Sequence, residues 1–143
     1  MAKTTELDAL YKATTYQVYL PGGVVRLRLG QPCPVLAGWM EENGCREFAI
    51  VTAYNPGSQK LDPTLNAERQ AQLECDLLEG NYEPYAGENL ADDPAWLAEE
   101  TCFIPDIAPE DACALGEEYG QNAVVVGGSD AVAYLLWIEA TAQ

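Results

Sequence analysis

Apolar and polar positions recur along the chain with two periods, and the switches between them mark out its elements. From about Thr5 to Lys12, Leu7, Leu10 and Tyr11 follow the i, i+3, i+4 spacing of an amphipathic helix. The period then drops to two. Tyr16 to Leu20 and Val24 to Leu29 read as strands joined by Pro21-Gly22-Gly23, with Val25, Leu27 and Leu29 alternating with Arg26 and Arg28. This hairpin turns one face to the core and puts two arginines on the other. Pro34 suits the first turn of a helix whose Val35, Leu36, Trp39 and Met40 face inward, and Gly44 suits a left-handed stop.

Phe48 to Tyr54 is a continuous apolar run ended by Asn55-Pro56-Gly57, the pattern of a buried strand inside a sheet. A helix from about Thr64 to Glu79 follows, ended by Gly80-Asn81. Tyr82 to Ala86 and Trp96 to Ile104 read as strands around an acidic turn, Glu88 to Pro94, with Pro94 to Ala98 also compatible with a helical turn. Pro109-Glu110-Asp111 opens a last helix with carboxylates where its dipole favours them, and Gly120 closes it. Ala123 to Val126 and Val132 to Ile138 then flank Gly127 to Asp130. The order is α-β-β-α-β-α-β-β-α-β-β. Both hairpins and helical crossovers occur, so the expected fold is a single compact α+β domain over residues 1–143. Its sheet is expected to be mixed and largely antiparallel, with three to four helices packed on it.

Length and composition support a packed core: 143 residues, 48% hydrophobic and 9% aromatic, bury about 68–70% of the unfolded surface at this size. The chain has no histidine, which removes the usual general base of serine and cysteine hydrolases and the imidazole ligands of most zinc sites. Cys33, Cys45, Cys75, Cys102 and Cys113 are odd in number and form no C-x-x-C pair, so they read as small apolar side chains in a reducing compartment. Neither a metal nor a cofactor is expected. The first residues, Met1-Ala2-Lys3-Thr4, carry no apolar signal segment, and no run approaches about 18 apolar residues. A cytoplasmic location is the expectation.

Charge changes the picture through its position. Seven Lys and Arg stand against 23 Asp and Glu, for a net charge of −16. Every base lies in the first 69 residues, whereas Gln70 to Gln143 holds sixteen acids and no base. Such a surface repels phosphate backbones and anionic membranes, so neither nucleic acid nor a membrane is an expected partner. It reads as a solvated exterior, as the acidity of a generally acidic proteome, or as a docking face for a basic protein partner, an inhibitor that imitates nucleic acid included.

Three polar clusters interrupt the apolar pattern. Asn55-Pro56-Gly57-Ser58-Gln59 ends the buried strand, where Asn55 and Ser58 sit at a strand's carboxyl end and the loop's N–H groups suit anionic oxygens. The same residues also make an ordinary turn. On the next helix, Asn66 and Arg69 extend the stripe of Leu73 and Leu77 back toward that loop, with Gln70 beside them. Arg69 is placed either to clamp a carboxylate or phosphate or to pair with a local acid such as Glu100. The third cluster joins Glu99-Glu100 to Gln121-Asn122. Adjacent strand residues point to opposite faces, so only one of Glu99 and Glu100 enters a given cleft. Gln121 and Asn122 also suit capping of exposed backbone groups.

The run Ile50-Val51-Thr52-Ala53-Tyr54-Asn55-Pro56-Gly57-Ser58, then Asn66-Ala67-Glu68-Arg69, then Gly120-Gln121-Asn122-Ala123-Val124 resembles the bacterial family catalogued as domain of unknown function 3293. The resemblance spans about residues 15–126. It departs at Glu99-Glu100-Thr101-Cys102-Phe103, which has an extra residue and no serine. What it implies is a small intracellular domain with no established activity or cofactor, whose polar clusters form one site. Two functional classes stay open. One is a binder of a small polar or phosphate-bearing, nucleotide-like ligand, through Asn55, Ser58, Asn66, Arg69, Glu99 or Glu100, Gln121 and Asn122. The other is an acidic interaction module for a basic partner.

Overall fold

A computed structural model describes residues 5–93 and 95–138, with the side chains of residues 5–7 and 58 left out. Its elements follow the expected order: α1 (Thr5–Lys12), β1 (Thr14–Leu20), β2 (Gly23–Leu27), α2 (Pro34–Asn43), β3 (Glu47–Val51), α3 (Pro63–Glu79), β4 (Tyr85–Ala91), β5 (Glu99–Pro105), α4 (Pro109–Glu118), β6 (Ala123–Gly128) and β7 (Ala133–Trp137). A single 3-10 turn, Pro56–Ser58, lies between β3 and α3. The helix starts are those the residues dictate. Pro34, Pro63 and Pro109 each stand in a first turn, and the Asp62 carboxylate accepts from Thr64 N. Gly44 takes the left-handed conformation, φ 69°, at the end of α2.

The seven strands lie in the order β2-β1-β4-β5-β3-β6-β7, and every pairing is antiparallel. The parallel component anticipated from the crossovers is therefore missing, for a topological reason. Helices α3 and α4 do join strands that run the same way, β3 to β4 and β5 to β6. In each case another strand, β5 or β3, is inserted between the two, so no parallel ladder forms.

Each face of the sheet carries its own core. Tyr16, Val18, Leu27, Phe48, Ile50 and Phe103 pack with Leu36 and Met40 of α2 on one side. Ala49, Val51, Ile104, Val124 and Val126 pack with Leu73 and Leu77 of α3 and Ala112 of α4 on the other. Burying a side chain such as Phe48 or Leu73 contributes about 1.5–3 kcal/mol. The sheet also curls: Gly30 N donates to Ala133 O at 2.7 Å, which ties the segment after β2 to β7 at the opposite edge. The α2 side is thus concave.

Several boundaries differ from the sequence reading. Val35 is exposed, because α2 rests on Leu36 and Met40 and lets Trp39 lean on Tyr85 and Phe103. Glu88 to Ala91 belong to β4 and not to a turn, the next strand starts at Glu99 and not at Trp96, and Trp96 N donates to Asp93 O at 3.1 Å in a single turn before it, Pro94 being outside the described residues. The buried strand ends at Val51, three residues early. Ala53 N leaves the sheet to donate to the buried Gln70 Oε1 at 3.0 Å.

Candidate functional site

Where β3 ends, the chain turns through Asn55, which adopts the left-handed region at φ 46°. Asparagine tolerates that region because its short amide bonds locally. Here it forms a reciprocal pair with Asn66 of α3: Asn55 N donates to Asn66 Oδ1, and Asn66 Nδ2 donates to Asn55 Oδ1, both at 2.9 Å. Asn55 Oδ1 also accepts from Leu61 N, and Asn55 Nδ2 donates to Glu99 Oε2 at 2.8 Å. One amide thus fixes the loop, docks it on α3 and orients a carboxylate of β5.

Arg69 does not reach a ligand position or an acid. Its Nε donates to Ala53 O at 2.9 Å, another guanidinium nitrogen donates to Tyr119 O, and the group lies 5.7 Å from the Tyr119 ring centroid. Gly57 N donates to Gly120 O at 2.8 Å. Gly120 is glycine for a spatial reason, since a Cβ there would stand 2.9 Å from Pro56 Cβ. The loop's N–H groups at Asn55, Gly57 and Gln59 are all taken by protein acceptors. The anion cradle expected at this strand end is therefore a structural joint. The rule for parallel sheets has no purchase here either, because β3 is flanked by two antiparallel neighbours.

A pocket opens beside this joint, at the end of the concave face nearest α1. Its cavity volume is about 80 Å³. Leu10, Ile50, Ala91, Val125 and Leu135 give apolar walls, and Tyr11, Tyr16, Tyr54 and Trp96 give aromatic ones. Asn55, Glu99 and Gln121 border it, together with Thr14, Thr52 and Asn89. Gln121 Nε2 donates to Tyr54 O at 3.0 Å, which holds the joint to the pocket rim. Burial raises the Glu99 carboxyl above its ordinary value, and the Asn55 bond opposes that rise. Burial also raises the Tyr16 hydroxyl, with Tyr11 and Glu99 adding to the effect.

The register settles which glutamate faces in. Glu99 pairs with Asn89 of β4, which pairs with Tyr16 of β1, so the three share the concave face. Glu100 points away, is exposed, and accepts from Tyr54 Oη at 3.0 Å. Asn66 and Arg69 stand behind the pocket and do not line it; Asn122 is half-buried beside Gln121, outside the lining, and the Ser58 side chain lies outside the described residues. Tyr11, Tyr16, Asn89 and Trp96 were missed by sequence reasoning. The alternation Tyr85, Gly87, Asn89, Ala91 is the signal that places Asn89 inward once β4 is read to its full length.

All five cysteines are free. Burial pushes the Cys102 thiol up to about 12, which keeps it neutral. Among the described residues no group of three His, Cys, Asp or Glu is arranged to hold a metal, and no helix is long and apolar enough to cross a membrane.

A family model described as Protein of unknown function (DUF3293) matches residues 51–124, from the end of β3 into β6. The chain belongs to that family. The matched stretch contains the whole Asn55–Asn66–Arg69–Gln121 joint together with Asn89 and Glu99. Neither a search of curated proteins nor one of solved structures gave a match.

Proposed function

We propose that this member of the family binds a small molecule in the pocket between α1, the concave face of the sheet and the Asn55 joint. One observation carries the reading: Asn89, Glu99, Asn55 and Gln121, from four separate segments, meet at one concavity whose other walls are apolar or aromatic. Few polar groups over a mostly apolar lining is the composition of small-molecule sites. The Asn89 Oδ1 atom is buried without a hydrogen-bond partner, and a buried acceptor left unpaired costs about 1–3 kcal/mol.

The phosphate-bearing branch of the expectation depended on Arg69 and on the N–H groups of the Asn55 loop, whose protein partners withdraw that support. The acidic exterior, which suggested a basic partner, has no second feature that names one. The pocket reading is tested by a fragment library screened on the ¹⁵N-labelled chain. Binding fragments are expected to shift amides of residues 52–55, 89–91 and 121–125 together. Hits that leave those amides unmoved, or a library without hits, would remove the reading.

A further inference from the structure

We propose that the pocket selects organic cations: small molecules with an ammonium or amidinium group on an apolar or aromatic body. This rests on the pocket reading above and narrows its ligand class. Among the described residues lining the pocket, Glu99 is the only one with a formal charge. Directly across the strands stands Asn89, whose buried Oδ1 has no partner. Asn55 Nδ2 donates to one oxygen of the Glu99 carboxylate, which keeps further acceptor sites for a ligand. An ammonium or amidinium group supplies several N–H donors at once, whereas a hydroxyl supplies one.

The walls favour the same class. Tyr11, Tyr16 and Tyr54 are among the lining residues, and aromatic rings attract cations, quaternary ammonium groups included. Among the described residues, Arg28 is paired with Asp92 at 3.0 Å and Lys60 lies 5.5 Å from the Trp96 ring centroid, and neither lines the pocket. A net charge of −16 further enriches cations around the molecule and repels anions.

The experiment is a titration of the full chain at pH 7 with three probes of matched shape, 2-phenylethylamine, 2-phenylethanol and phenylacetate, followed by amide shifts at the pocket. The amine is protonated at that pH, as lysine is. It is expected to bind at least about tenfold more tightly than the alcohol, with phenylacetate weakest, and Glu99→Gln is expected to remove most of the difference between amine and alcohol. An alcohol that binds as tightly as the amine, or a preference for phenylacetate, overturns cation selection and leaves the pocket reading standing. If none of the three binds, cation selection is likewise overturned, and the fragment library alone decides the pocket reading. The wild-type comparison needs no variant, so a Glu99→Gln chain that fails to fold does not shield the proposal.

Discussion

The two sides of the Asn55 loop treat polar side chains in opposite ways. Behind it, toward α3, Asn66, Arg69 and Gln70 each meet backbone groups: Asn55 N, the carbonyls of Ala53 and Tyr119, and Ala53 N. In front of it, on the concave face, Asn89 Oδ1 is unpaired, and so is Thr101 Oγ1 two residues along β5 from Glu99. Asn66 and Gln70 are buried and Asn89 and Glu99 half-buried, so the side that leaves an acceptor unpaired is not the deeper one. What distinguishes them is whether the protein completes its own hydrogen bonds. A polar cluster that does so is a structural joint, and one that does not is where a ligand gains most.

Substitutions at the joint are expected to break this contrast most visibly. Arg69→Met keeps the stem but strands two carbonyls, and should cost about 3 kcal/mol, read as a fall in the midpoint of urea unfolding. Unchanged stability with loss of ligand would turn Arg69 into the clamp that the sequence first suggested. Gln70→Leu strands Ala53 N in the core and should cost about 2 kcal/mol by the same measurement. A neutral result there would show that the Gln70 bond to Ala53 N contributes nothing to holding the loop.

Substitutions at the pocket should go the other way. Glu99→Gln removes a carboxylate that burial disfavours, and should raise the midpoint of urea unfolding at pH 7, the trade of stability for function seen at binding sites. The sign in pH follows. A raised value means the folded chain holds the proton more tightly than the unfolded chain, so stability falls as pH rises through that value. The variant should lack this component, and a stability profile identical to wild type would contradict it. Smallest of all, Tyr54→Phe removes one bond to the exposed Glu100 and should change stability by less than about 0.5 kcal/mol.

Much of this was legible in the chain. The 3.6 and 2.0 periods named all eleven elements in order, and Pro34, Pro109 and Gly44 marked helix ends. The Asn55, Asn66, Arg69 and Gln121 clusters meet at a hydrogen-bonded joint and not in the one pocket expected, which of these only Asn55 and Gln121 line. Their partners were not legible, because Ala53 O and Tyr119 O are backbone atoms and carry no residue signal. The pocket was half legible. Asn89 hid in a run of acids that looked like a turn, and Tyr16 looked like ordinary core. Only the register of β1, β4 and β5 sets both beside Glu99.

The central claim is that Glu99 serves the ligand while Arg69 serves the fold. Unfolding midpoints and 2-phenylethylamine affinities of Arg69→Met and Glu99→Gln, measured side by side, test it most directly. Arg69→Met should lower the midpoint and leave the affinity of the folded chain within about twofold, and Glu99→Gln should keep or raise the midpoint and lose about tenfold in affinity. Loss of affinity in Arg69→Met at unchanged midpoint, with Glu99→Gln binding normally, would contradict it.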